Sequence, residues 1–178
     1  EYVSEHSIVM GGNYKKSGED YFTIVFFELT NNELHKKHEL TQRGSITAHS
    51  FSQGRSSYSV GLSGAKAKGN EVRVNTYDPE TGVLSNSNDE YNNIIKIMNY
   101  DSTGSRLAVV DERDNVLVLD LPRNTVQKVY EQLSNITSAK FSPLGSHLIV
   151  ISNINGVNFY ETGSLQKSLP RFNLGGNI

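Results

Sequence analysis

The chain alternates short apolar runs with small polar turn residues from end to end. Apolar and β-branched stretches such as Leu107–Val110 and Leu148–Ile151 are separated every few residues by Asn, Gly and Asp. No stretch keeps an apolar stripe of 3.6-residue period over three turns. The best helical candidate, Pro122–Leu133, suits a strand equally well because it contains Thr125, Val126 and Val129. The pattern therefore predicts an all-β chain of many short strands.

Four five-residue segments share one pattern: apolar, variable, variable, large apolar, acidic. They are Ile24–Glu28, Val74–Asp78, Val116–Asp120 and Val157–Glu161. Measured at the large residue, their spacings are 50, 42 and 41 residues. Each segment is followed by a turn rich in Asn, Gly or Pro and then by a new strand. The last two spacings are nearly equal, and a regular period of roughly 40–45 residues is the sequence sign of a repeat architecture.

A second segment precedes the first in the last three repeats. Ile136–Ser146 and Ile95–Ser105 align position by position, and Ile46–Gly54 is a poorer copy. The apolar runs that follow are expected to be inner strands covered on both faces. We also predict two-residue hairpin turns at Asp114-Asn115 and at Asn155-Gly156, which suit positive φ, and a new strand from Leu165 in the last repeat.

These segments resemble the repeats of WD40-like β-propellers. Tyr77–Gly82 is similar to the W-D-x-x-T-G corner of that family, and Ile136–Ser146 is similar to the V-x-x-V-x-F-S-P-x-G-x start of its blades. The resemblance runs from about Ser4 to about Leu169. The chain departs from the family in having no Trp and no Gly-His pair before a blade. The resemblance implies blades of four antiparallel strands, each covered by its neighbours.

The predicted organisation is a single propeller segment spanning residues 1–178. Its blades are expected at about 1–43, 44–91, 92–133 and 134–170, followed by a tail at 171–178. The first blade has sequence for only three strands and lacks its innermost one. Seven blades would need roughly 290 residues. We therefore expect a partial propeller of about four consecutive blades, with the remaining blades supplied by the same or another chain.

Composition narrows the function classes. The net charge of −2 and the pI of about 6.2 are unlike the basic balance of a dedicated nucleic-acid binder. The absence of cysteine excludes disulfides and thiolate metal sites. No apolar run approaches the roughly 18 residues of a membrane span, so no membrane insertion is expected. We expect an intracellular protein, cytoplasmic or nuclear, and the resemblance suggests a eukaryotic source.

Catalytic and cofactor motifs are not found. The sequence has no G-x-G-x-x-G, no P-loop and no G-x-S-x-G elbow. His35 and His38 form H-x-x-H on a predicted strand, where residues three apart point to opposite faces. His6, His49 and His147 fall on different blades. We therefore predict no catalytic, cofactor-binding or metal-ligating residue, and no cofactor.

Two segments are predicted to be long loops between the second and third strands of their blades, on the same side of the molecule. They are residues 13–20 and 63–71. Long loops on a shared face are natural contacts for a partner. The candidate partner-binding residues are Tyr14, Lys15, Lys16, Lys66 and Lys68.

The expected function is a non-catalytic protein-interaction scaffold, a subunit of an intracellular multiprotein complex. One alternative is a propeller enzyme, such as a hydrolase or lactonase, with its site in the central channel. Another is an RNA-associated propeller in a ribonucleoprotein, since the loop lysines could meet RNA. Fold alone does not choose among these functions.

Overall fold

A computed structural model describes residues 7–52, 55–64, 72–129 and 132–168, which form strands and turns without any helix. The strands make four antiparallel sheets of three or four strands each. In every sheet the strands pair in chain order, so each sheet is a meander of consecutive hairpins. The predicted all-β class is confirmed.

The first sheet has three long strands in the order β1-β2-β3. They are β1 (Ser7–Lys16), β2 (Glu19–Thr30) and β3 (Glu33–Arg43). Both connections are two-residue turns with positive φ at each residue, Ser17-Gly18 (54° and 81°) and Asn31-Asn32 (53° and 63°). This backbone geometry matches the right-handed twist of the flanking strands. Within residues 7–43 the structure describes these three strands.

The other three sheets follow in sequence. The second contains β4 (Ser45–Ser52), β5 (Ser57–Ser63), β6 (Val72–Tyr77) and β7 (Leu84–Tyr91). The third contains β8 (Ile95–Tyr100), β9 (Arg106–Asp111), β10 (Val116–Asp120) and β11 (Thr125–Lys128). The fourth contains β12 (Ile136–Phe141), β13 (His147–Ser152) and β14 (Gly156–Glu161). The four sheets fall within the four predicted segments.

A β-bulge recurs at the same place in the last three sheets. The residue after the first Ile of β4, β8 and β12 has no partner on the neighbouring strand: Thr47, Lys96 and Thr137. A bulge of this kind bends its strand and increases the local twist. The three bulges lie at aligned positions of the repeat, so the repetition in sequence is also a repetition of backbone geometry.

The turns after β8 and β12 are also copies of each other. The N–H of Asp101 donates to the carbonyl oxygen of Arg106 at 3.0 Å. In the second copy, the N–H of Ser142 donates to the carbonyl oxygen of His147 at 2.8 Å. Gly104 and Gly145 both have φ of 69°, where a side chain would be strained. The two glycines occupy aligned positions of the repeat.

The hydrophobic core consists of three clusters, one between each pair of consecutive sheets. Phe22, Ile24 and Phe26 of β2 pack against the second sheet. In β9, Leu107 and Val109 pack toward the second sheet, whereas Ala108 and Val110 pack toward the fourth. Adjacent residues of a strand point to opposite faces, so a strand covered on both sides needs an unbroken apolar run.

Three local predictions are wrong. The turn at Asp114-Asn115 is longer than two residues, because β9 ends at Asp111 and β10 begins at Val116. The turn before Gly156 has three residues, since β13 ends at Ser152. Leu165 begins no strand: its φ is 51°, its N–H donates to the carbonyl oxygen of Glu161 at 2.7 Å and its side chain is buried in the core. Only an isolated bridge between Tyr160 and Lys167 extends this sheet within the described residues.

Candidate functional site

A cavity of about 690 Å³ opens at the end of the sheets where the β1–β2, β3–β4, β5–β6, β7–β8 and β9–β10 connections meet. Its lining comes from three different sheets. The lining residues are Gly18, Glu19, Asp20, Arg43, Gly44, Ser45, Ser63, Gly64, Val72, Asn92, Asn93, Ile94 and Glu112. A volume of this size lies within the range of pockets that hold small molecules or a few side chains.

The rim of the cavity is held by backbone contacts between connections. Gly44 has φ of 113°, and its N–H donates to the carbonyl oxygen of Asp20 at 2.8 Å. This bond ties the β3–β4 connection to the first hairpin. Across the cavity, the N–H of Glu112 donates to the carbonyl oxygen of Ile94 at 2.8 Å, which ties the third sheet to the β7–β8 connection. The cavity therefore has a defined backbone frame.

Among the described residues, the side chains that line the cavity are polar and on balance acidic. Glu19, Asp20 and Glu112 carry negative charge, and Arg43 carries positive charge. Arg43 forms an ion pair with Glu19. Both partners are about half exposed, so this pair contributes little to stability. The exposed apolar contribution is Ile94, 42% of which is accessible. A ligand with a cationic or hydrogen-bond-donating group next to an apolar surface would match this lining.

The predicted loop at residues 13–20 is a tight hairpin. Residues 13–16 belong to β1 and residues 19–20 to β2, because Ser17 and Gly18 with positive φ close the turn in two residues. The prediction of a long loop here was therefore wrong. Residues of this hairpin and residues that flank the β5–β6 connection line the same cavity, which agrees with the expectation that the two segments lie on the same side of the molecule.

The candidate partner-binding residues of this hairpin lie on a strand. Tyr14 stacks on Tyr21 with the ring centroids 5.8 Å apart. Lys15 Nζ lies 3.8 Å from Asp20 Oδ1 on the paired strand. Lys16 pairs with Glu19 in the strand register.

The other two candidates, Lys66 and Lys68, lie outside the described residues. Gly64 and Val72, which flank that segment, both line the cavity.

The histidines have separate surroundings. His35 Nε2 lies 3.9 Å from Glu33 Oε2, and His38 Nε2 lies 2.9 Å from the carbonyl oxygen of Glu80. His147 Nδ1 lies 2.9 Å from Ser146 Oγ. Across the described ranges, no group of three or more His, Asp or Glu side chains is placed to hold a metal ion.

Asp114 is a carboxylate that sequence reasoning assigned only to a turn. Its oxygens accept hydrogen bonds from the N–H groups of Asn135 at 2.8 Å and Ile136 at 3.1 Å, and it pairs with Lys96. Burial raises the pKa of Asp114, but the hydrogen bonds from Lys96, Ile136 and Asn135 outweigh that effect and leave the pKa below its usual value. This side chain joins the third sheet to the start of the fourth.

Helices of a length and apolarity suited to crossing a membrane do not occur in the part of the chain that the structure describes. Comparison of the sequence with models of protein families gives no match, and comparison with curated proteins also gives none.

Proposed function

We propose that this protein is a non-catalytic interaction scaffold, a subunit of an intracellular multiprotein complex in the cytoplasm or nucleus. In this proposal its four sheets are four consecutive blades of a WD40-like propeller. The remaining blades come from the same or another chain. The function of such a scaffold is to present several connections on one face to a protein partner.

The observation that carries the proposal is the composite origin of the cavity. Five connections from three sheets contribute to one concave surface. Connections that are far apart in sequence converge because the sheets stack in chain order with their hairpin ends together. Binding residues are often found on connections held in this way by a rigid framework.

The lining favours a partner that inserts a basic side chain. Glu19, Asp20 and Glu112 supply carboxylate acceptors, and Ile94 supplies an apolar contact beside them. A lysine or arginine has a long apolar stem and a charged end, so it can use both kinds of contact at once. We accordingly expect the partner segment to be basic.

Affinity purification of the tagged chain, with mass spectrometry of the bound proteins, tests this proposal. The variant Ile94→Lys places a positive charge on the cavity wall, where it would repel a basic partner segment, and Ile154→Lys is its matched control. Ile154 is also an exposed isoleucine, at 68%, on the β13–β14 turn, and it does not line the cavity. We expect defined stoichiometric partners that are lost with Ile94→Lys and kept with Ile154→Lys.

Three results would contradict the scaffold proposal. The first is a chain that purifies without any stoichiometric protein. The second is turnover of an ester or lactone by the purified chain, which would support a propeller enzyme instead. The third is capture of RNA whose affinity falls steeply with salt, which would support the ribonucleoprotein alternative.

A further inference from the structure

The first sheet has an apolar face that its repeat position predicts to be buried. Ile8 and Met10 of β1 and Val25 and Phe27 of β2 alternate with the residues that pack on the second sheet, so they point away from it. We call these four side chains the backward face. Met10 is 55% exposed, and the other three are partly exposed.

The position of Met10 is fully buried in every described sheet that has a predecessor. Met10 aligns with Val60, Val109 and Val150, each of which is 0% exposed. In those sheets this side chain packs in the cluster shared with the preceding sheet. The backward face of the first sheet therefore has the composition of a sheet junction without the adjoining sheet in the described residues.

The fourth sheet has a partly exposed apolar face on the side that points away from the third sheet. Ile149 and Ile151 of β13 and Val157 of β14 alternate with the residues that pack on the third sheet. We call these three side chains the forward face. They align with Ala108, Val110 and Val116 of the third sheet, which are 0–2% exposed because the fourth sheet covers them. In the fourth sheet all three are partly exposed.

The backward face of the first sheet and the forward face of the fourth sheet are the two kinds of surface that pack together at the internal junctions. At each of the three internal junctions, the forward face of one sheet packs against the backward face of the next. Within the described residues, the first sheet leaves a backward face and the fourth sheet leaves a forward face, so the internal junctions are a template for joining the two. Two copies of this chain joined in this way would contain eight sheets, which is the upper end of the usual number of blades in closed propellers.

We propose that two copies of this chain associate head to tail, with the backward face of each copy packed on the forward face of the other. This proposal rests on the blade arrangement given under the proposed function. Each junction joins two different faces, and a two-fold axis relates the two junctions when the ring closes after two copies.

Light scattering coupled to size-exclusion chromatography tests the proposal on the whole chain. We expect a mass of about 40 kDa, twice the 19.8 kDa of one chain. Val25→Lys interrupts the backward face and Ile151→Lys the forward face. In the folded monomer Val25 lies opposite Glu39 and Ile151 opposite Ser138, so a lysine is tolerated at either position. Val83→Lys changes a valine that is 61% exposed elsewhere and is the matched control.

Mixing the variants distinguishes head-to-tail packing from any symmetric contact. Each face variant alone disrupts both junctions and should elute as a monomer of 19.8 kDa. The mixture of Val25→Lys and Ile151→Lys retains one intact junction, so a heterodimer should reappear, and Val83→Lys should remain a dimer. Circular dichroism spectra matching the parent chain confirm that the variants are folded.

The proposal is overturned by a monomeric parent chain, by a dimer that survives either face variant, or by assemblies larger than two copies. These results are independent of partner capture at the cavity. A chain can lose its dimer and still bind partners through Ile94, or keep its dimer and bind none. The two proposals therefore fail separately.

Discussion

Replacing Asp114 with alanine should weaken the junction between the third and fourth sheets. The carboxylate accepts hydrogen bonds from the N–H groups of Asn135 and Ile136, the residues with which the fourth sheet starts. It is also paired with Lys96 at the bulge of β8. The substitution removes all three contacts at once and leaves the N–H of Ile136, a residue that is 4% exposed, without its acceptor.

The expected loss follows from the number and type of these contacts. A hydrogen bond to a charged group contributes about 1.5–3 kcal/mol, and a buried donor left without an acceptor costs about 1–3 kcal/mol. The side chain of Asp114 retains 18% of its accessibility, so values at the low end apply. We expect the free energy of unfolding to fall by about 2–3 kcal/mol. For a chain of this length that corresponds to roughly 5–10 °C in melting temperature.

Urea denaturation of the parent chain and Asp114→Ala at pH 7 measures this loss. Asp120→Ala is the control, because Asp120 accepts from the N–H of Arg123 within its own turn, and its ion-pair partner Arg123 is 77% exposed. The control should lose about 1 kcal/mol or less. Equal losses in the two variants would refute the idea that Asp114 joins two sheets.

The pH dependence gives a second check with a definite sign. The folded pKa of Asp114 lies below the usual value for an aspartate, so its contribution is complete above that usual value and is lost as pH falls through the folded pKa. The stability difference between the parent chain and Asp114→Ala should therefore be constant from pH 7 to about 5 and should shrink below pH 4. A difference that stays constant down to pH 2 would contradict this account.

Two further substitutions test the junction between the second and third sheets by urea denaturation. A Cβ at Gly61 would lie 3.0 Å from the Cβ of Ile95, so Gly61→Ala should lower the free energy of unfolding by about 1–3 kcal/mol. Gly12 has open space around it, so Gly12→Ala is the control and should be neutral or slightly stabilising. Equal effects of the two substitutions would refute the close approach of the two sheets at Gly61. Tyr100→Phe removes a hydroxyl that lies 2.5 Å from Ser59 Oγ and should cost about 1 kcal/mol, and an unchanged midpoint would show that this bond adds nothing to stability.

The strands and their repetition could be predicted because they depend on local features. Alternation of apolar side chains, small turn residues and the recurring acidic position are all visible in sequence windows of about ten residues. The alignment of Ile95 with Ile136 even places two of the three β-bulges, although the bulges themselves were not foreseen.

The wrong or missing predictions have two causes: an unusual local backbone conformation, and packing between groups that are distant in sequence. The hairpin at Ser17-Gly18 needs a serine at positive φ, a conformation that few residues other than glycine adopt, so the segment resembled a loop. Leu165 is apolar and follows a turn like the first residue of a strand, yet it is buried in the core between sheets. The cavity could not be seen at all, because its lining comes from five connections whose meeting depends on how the sheets stack.

The meander order of the sheets has a consequence for how the chain folds. Every strand pairs with the strand next to it in sequence, so each sheet can close its hydrogen bonds without waiting for residues far along the chain. Loop closure between neighbours costs little entropy, and contacts of this kind form early. Each completed sheet then presents an apolar surface on which the next one condenses, in the order of synthesis from the ribosome. Assembly by successive addition also confines an early error to one junction.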